Sequence, residues 1–118
     1  MTVRLITLLK RREGMSKADF TAYYEGHHRL IGEKVLSGYA SRYVRRHLHS
    51  MEGDEQEVDV ILEIEFPDQR TMNACFAAMA EPSVMAEIVA DEERLFDRDR
   101  IRSFSETAYE SDLRPPRG

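Results

Sequence analysis

Apolar positions recur with two different periods along this chain. Val3, Leu5, Ile6, Leu8 and Leu9 form a short apolar run with both faces suited to burial, which predicts a strand that Glu13-Gly14 ends. From Ser16 the period becomes helical, with Phe20, Tyr23, Tyr24, His27, Ile31 and Val35 in phase. Ser16 is a suitable N-cap, Asp19 follows three residues on, and Met15 and Phe20 are spaced for a hydrophobic staple. The pattern predicts a helix to about Lys34, with Gly38 in the turn beyond it. Residues 39–49 read as a second, more polar strand, and 50–57 as a polar connector turned by Gly53. Val58, Val60, Leu62, Ile64 and Phe66 alternate with mostly acidic residues, the clearest strand signal in the chain. Pro67-Asp68 opens a helix whose stripe is Met72, Cys75, Phe76 and Met79. Pro82 suits the first turn of another, with Val84, Met85, Ile88 and Val89 as its apolar face. Residues 91–97 read as a charged stretch, 101–109 as a fourth strand, and 113–118 as a loose tail.

The order is strand, helix, strand, strand, helix, strand. That is the split β-α-β-β-α-β arrangement of a ferredoxin-like α+β domain, here over residues 1–110 with a flexible tail at 111–118. Two helices on one face of a four-stranded sheet leave the other face bare. The strands nevertheless place apolar residues on both alternations, and a bare apolar face of that size is an association surface. We therefore expect a homodimer packed sheet to sheet, a homodimeric α+β barrel that encloses a cavity. A chain of 118 residues has little interior for a deep pocket of its own. A pocket shared between chains, or between sheet and helices, is easier to build.

Composition narrows the partners. Acids and bases are interspersed, the net charge is −5, and the short runs Lys10-Arg11-Arg12 and Arg45-Arg46 form no basic stripe, so no nucleic-acid partner is expected. No apolar run approaches the roughly 20 residues of a membrane helix. The basic run follows the N-terminal apolar stretch instead of preceding it, which argues against a signal peptide and for a cytoplasmic protein. The one cysteine, Cys75, lies on an apolar helical stripe and reads as a buried, inert thiol.

Candidate chemistry centres on histidine. Phe20, Tyr24 and His28 are four apart and share a helix face, while His27 points about 100° away. Two readings of His28 stand on the residues alone. One is a proton-transfer group beside aromatic rings. The other is a structural histidine bonded to a backbone carbonyl of the next strand. Tyr39, Tyr43, Arg45, His47 and His49 give the second strand a polar and aromatic face, either a cavity lining or a strand end in solvent. Asp91 and Asp97 are either orienting acids for His28 or part of a solvated helix surface. There is no His-x-x-x-His pair and no second cysteine, and adjacent His27 and His28 are poorly placed to share an ion, so no metal is expected.

The run from Leu9 through Lys10-Arg11-Arg12-Glu13-Gly14 into Phe20, Tyr24 and His28 resembles the EthD family of dimeric α+β barrel proteins. The family pattern is a strand ending in Lys-Arg, a turn, and a helix carrying Phe-x-x-x-(Trp/Tyr)-x-x-x-His. Asp91-Glu92-Glu93 followed by Phe96-Asp97 is similar to a segment of members that handle aromatic polyketides. The family often has Trp in place of Tyr24 and Pro in place of Leu30. The resemblance favours the functional reading of His28. It implies a cofactor-independent lyase or cyclase that decarboxylates, dehydrates or cyclises a small aromatic or polyketide-derived ligand. His28 would move the proton, Asp97 would assist and Tyr24 would orient, with Phe20, Tyr39, Tyr43, His47 and Phe96 against the substrate. It also implies two rivals, a cofactor-free monooxygenase and a non-catalytic accessory or ligand-binding protein.

Overall fold

The computed structural model describes residues 1–53 and 55–116. Asp54 of the expected connector, and Arg117 and Gly118 of the expected tail, lie outside the described residues. The chain runs β1 (Val3–Leu9), α1 (Lys17–Tyr23), a π-helical turn (Tyr24–His28), α2 (Arg29–Leu36), β2 (Arg42–His47), β3 (Val60–Phe66), α3 (Gln69–Met79), α4 (Pro82–Leu95), a 3-10 turn (Arg98–Arg100) and β4 (Arg102–Ser105). The four strands form one antiparallel sheet in the order β2-β3-β1-β4, so the fold is ferredoxin-like α+β.

The expected first helix is present but not uniform. Ser16 Oγ accepts from the Asp19 N–H, which caps α1, and Met15 packs beside buried Phe20 as a staple requires. At Tyr24 the helix widens for five residues and tightens again at Arg29. Such wide turns concentrate at functional sites because they re-aim the side chains that follow. The second strand is shorter than expected, and it ends at His47, which leaves His49 exposed beyond it. Residues 91–97 are a further correction. Most of this charged stretch belongs to α4, which runs unbroken to Leu95, because Asp91 and Leu95 stay in phase with buried Ile88.

Strand register sorts the side chains onto two faces. Leu5, Thr7 and Leu9 of β1 lie opposite Ile64, Leu62 and Val60 of β3, and with Tyr43 and His47 of β2 they face the helices. Both buried clusters draw on this face alone. One joins Leu9, Val60, Phe20, Tyr24, Leu95 and Phe96; the other joins Ile64, Phe66, Leu36 and Cys75. The opposite face carries Ile6, Leu8, Val44, Ile61 and Phe104, interrupted by Glu63 and Glu65. Glu63 bonds Arg42 at 2.8 Å and Arg46 at 3.1 Å, and Arg4 bonds Glu65 at 3.1 Å. Charge on this face is therefore paired within the sheet, and Phe104 is 51% exposed beside it. No helix among the described residues is long and apolar enough to cross a membrane.

Candidate active site

The wide turn, α4 and the helix-facing side of the sheet enclose a cavity of about 290 Å³. Leu5, Leu9, Leu62 and Ile64 form its floor, while Ile31, Val35, Phe76, Met79 and Ile88 close it from the helix side. The cavity thus lies between sheet and helices of one chain, not between two sheets. The physical reason is the register: the strand residues that form its floor all sit on the helix-facing alternation.

His28 stands at one wall. Its ring is wedged edge-on between Tyr24 and Phe96, with centroids 5.2 Å and 5.3 Å away. His28 Nδ1 lies 2.7 Å from Asp91 Oδ2. A carboxylate can only accept, so Nδ1 carries a proton, and in the neutral ring the lone pair is then on Nε2. The side chain of Asp91 is 4% exposed, and its other oxygen accepts from the Tyr23 hydroxyl and lies 3.1 Å from His27 Nδ1. Burial works to raise the Asp91 carboxyl, but the hydrogen bonds from Tyr23 and His28 and the nearby imidazoles outweigh it, so it is held below the usual carboxylate range. Burial and the bond to Asp91 push the Tyr23 phenol up. Tyr23 therefore stays a donor to the carboxylate. The wide turn explains how both histidines reach one acid: His28 faces the cavity, and His27, at 54% exposure, approaches from the solvent side.

A second network fixes the wide turn to the sheet. Glu25, within the turn, receives two bonds from Arg45 at 2.8 and 2.9 Å and one contact from His47 Nε2 at 2.9 Å. The Arg45 bonds outweigh burial and, with His47, hold the Glu25 carboxyl at about 2. Arg45 also lies over the Tyr43 ring, 4.8 Å from its centroid. Burial, together with the neighbouring Tyr43 phenol, pushes the Tyr24 phenol well above its ordinary value.

Of the residues singled out in the sequence, Tyr24, His28, Tyr43 and Phe96 line the cavity together. Phe20 and His47 pack directly behind Tyr24. Asp97 and Tyr39 do not join them. Asp97 follows the end of α4 in extended backbone, its N–H bonds the Lys10 carbonyl, and its carboxylate pairs with Arg100. The acid that reaches His28 is Asp91, one helical stripe position from Ile88. Tyr39 lines a separate, smaller hollow with Lys34, Ala78 and Val84. Thr7, Ser103 and Glu92 also line the main cavity and carried no separate signal in the sequence. Among the described residues no group of three or more His, Cys, Asp or Glu side chains is placed to hold a metal ion.

Residues 12–99 match the family model of the EthD domain. The chain belongs to the EthD domain family. The EthD family protein of Bacillus halodurans shares 16% identity with it at a TM-score of 0.66, over 92% of this chain and all of that one. An EthD-like protein of Ralstonia eutropha shares 17% identity at a TM-score of 0.59, over 89% of this chain and 87% of that one. A dimeric ferredoxin-like protein of unknown function from Thermobifida fusca shares 10% identity at a TM-score of 0.63, over 92% of each chain. These likenesses establish the fold. No curated protein matches the chain.

Proposed function

We propose that this EthD-domain protein catalyses proton transfer on a small aromatic or polyketide-derived molecule held in the cavity of each chain, in a lyase or cyclase step that needs no metal or organic cofactor. The observation that supports this reading most directly is the Nδ1 bond from His28 to buried Asp91 at 2.7 Å. Asp91 fixes the tautomer, and its low-lying carboxyl stabilises the imidazolium that forms when Nε2 takes a proton from the ligand. The ligand would lie against the edges of Tyr24, Tyr43 and Phe96, in a site from which water is largely displaced. Tyr24 orients rather than transfers, because its buried phenol is pushed away from ionisation. The same imidazolium can return the proton at a second carbon or oxygen, which is what dehydration or ring closure requires.

The working unit in this proposal is a homodimer packed through the outer sheet face, which bears Ile6, Leu8, Val44, Ile61 and Phe104. The Thermobifida fusca protein of the same fold is described as dimeric.

Deuterium exchange into naphthoresorcinol tests the chemistry. The hydrogen on the carbon between its two hydroxyls exchanges with solvent through a keto tautomer, and proton NMR follows its loss. The protein should accelerate exchange, and His28→Ala should remove the acceleration. Equal exchange by both proteins, with ligand affinity intact, would favour a ligand-binding role over catalysis. Oxygen consumption during the reaction would favour the oxygenase.

A further inference from the structure

Asp91 and Glu92 are adjacent in the chain, yet they serve different surfaces. Asp91 turns to His28, whereas Glu92 lines the cavity itself. The polar side chains around the cavity are Thr7, Tyr24, His28, Tyr43, Glu92 and Ser103. Thr7 and Ser103 bond each other across β1 and β4 at 2.9 Å. That bond uses one of the two hydroxyl hydrogens, so the hydroxyls keep some capacity both to donate and to accept. The phenols of Tyr24 and Tyr43 are neighbours, and burial above all pushes both up, so each keeps its proton. The lining groups that offer a ligand acceptance alone are the Nε2 of a neutral His28 and the carboxylate of Glu92. No Lys or Arg is among the residues that line this cavity. Arg98, 42% exposed and outside the lining, donates from Nε to Glu92 Oε1 at 3.4 Å, which leaves Glu92 Oε2 for a ligand.

A ligand carboxylate or phosphate brought into this space would meet no cation and would face Glu92, a like charge in a poorly hydrated pocket. A neutral ligand with hydroxyl donors would meet two acceptors and an apolar enclosure. We infer that Glu92 is a specificity-determining residue that selects neutral aryl or fused-ring ligands bearing two donor hydroxyls and rejects their carboxylated counterparts. One hydroxyl is taken by His28 Nε2 and the other by Glu92. The inference rests on the reading of this cavity as the ligand site. It sets dehydration or cyclisation of a neutral substrate ahead of decarboxylation of a carboxylate.

Calorimetric titration near neutral pH with naphthoresorcinol and with naphthoresorcinol carboxylate, a matched neutral and anionic pair, tests it. The unmodified protein should bind the neutral diol at least about tenfold more tightly than the carboxylate. Glu92→Gln, which keeps shape and removes charge, should narrow that ratio by about tenfold, chiefly through tighter carboxylate binding. Glu92→Leu should also admit the carboxylate while weakening the diol, which loses its acceptor; circular dichroism verifies that both variants are folded. Equal affinities in the unmodified protein, an unchanged ratio in Glu92→Gln, or failure of both probes to bind would overturn the assignment. These titrations read binding without turnover. A His28 that proves inert in the exchange assay would leave the Glu92 result standing, and a failed discrimination at Glu92 would leave the His28 chemistry standing.

Discussion

Gly32 of α2 lies directly beneath the phenol of Tyr43: a methyl group on Gly32 would come within 2.5 Å of Tyr43 Oη and 2.9 Å of its ring carbon. The bare helix backbone is what lets the phenol end of Tyr43 approach α2 closely while the side chain lines the cavity near Tyr24. In an exposed helix interior Gly→Ala gains about 1 kcal/mol. Here the added methyl overpacks a half-buried ring, at a cost of ~1–3 kcal/mol. We expect Gly32→Ala to destabilise the protein by roughly 1 kcal/mol and to push the Tyr43 ring into the cavity, which weakens naphthoresorcinol binding. In a Tyr43→Ala background the same substitution should become stabilising. Urea unfolding of the four proteins of this cycle measures the sign reversal, and a Gly32 effect that is the same in both backgrounds would contradict the contact.

The pairing of His28 with Asp91 makes a separate demand. Asp91→Asn keeps the shape but offers an amide where the imidazole needs an acceptor with charge. Nδ1 can then act as the acceptor, so the proton moves to Nε2 and the ring presents the wrong tautomer to a ligand. We expect turnover in the exchange assay to fall by about 10²-fold or more, with naphthoresorcinol affinity changed by less than about threefold. Stability should drop by roughly 1–3 kcal/mol, because the Tyr23 hydroxyl and the imidazole lose a charged partner. An Asp97→Asn variant should leave turnover unchanged, since Asp97 pairs with Arg100 at the surface. A reversed pattern, with Asp97→Asn inactive and Asp91→Asn active, would reject the orienting role of Asp91.

The strand–helix order, the cap at Ser16, the first helical turn at Pro82 and the shared face of Tyr24 and His28 were legible in the sequence, whereas placing Tyr43 and Phe96 beside them rested on the family resemblance. Each legible feature is a local pattern: a period, a cap residue, or a shared face. The sequence offered Asp91 and Asp97 as partner acids without separating them, because a run such as Asp91-Glu92-Glu93 carries the same charge whether it faces water or the core. A weak signal did exist, since Val84, Ile88, Asp91 and Leu95 fall on one helical stripe and an acid within such a stripe is buried with it. Thr7 and Ser103 meet only through register, Thr7 opposite Ser103, which no single-strand pattern reveals. The wide turn at Tyr24 was hidden for a similar reason. One added residue in a helix hardly disturbs an apolar period in which 3 and 4 already alternate.

Glu25 predicts how stability depends on pH. Its folded carboxyl sits at about 2, held down mainly by Arg45 and then by His47. A depressed folded value means that the unfolded chain binds the proton more readily. The contribution is therefore complete above about 4.5 and is lost as pH falls from there to about 2. At 36% exposure the Glu25 side chain is screened by solvent, so we expect Glu25→Gln to cost only ~1 kcal/mol at neutral pH. Urea midpoints of the two proteins should converge as pH falls through that window. A gap that persists unchanged below it would show that Glu25 acts through shape and not through charge.

The outer sheet face supplies the last test. Ile6 and Phe104 are directly opposed across β1 and β4, and Phe104 is 51% exposed in the single chain. Burying an aromatic ring against a second sheet stabilises by about 1.5–3 kcal/mol per side, while a carboxylate there would face the same charge on its symmetry mate. Phe104→Asp should therefore shift sedimentation from dimer to monomer at micromolar concentration. The cavity draws its walls from one chain, so the monomer should keep its affinity for naphthoresorcinol to within about threefold. A variant that stays dimeric would place the interface elsewhere than this face. A monomer that loses its ligand would show that the second sheet braces the floor formed by Leu5, Leu9, Leu62 and Ile64, and that the cavity is complete only in the pair.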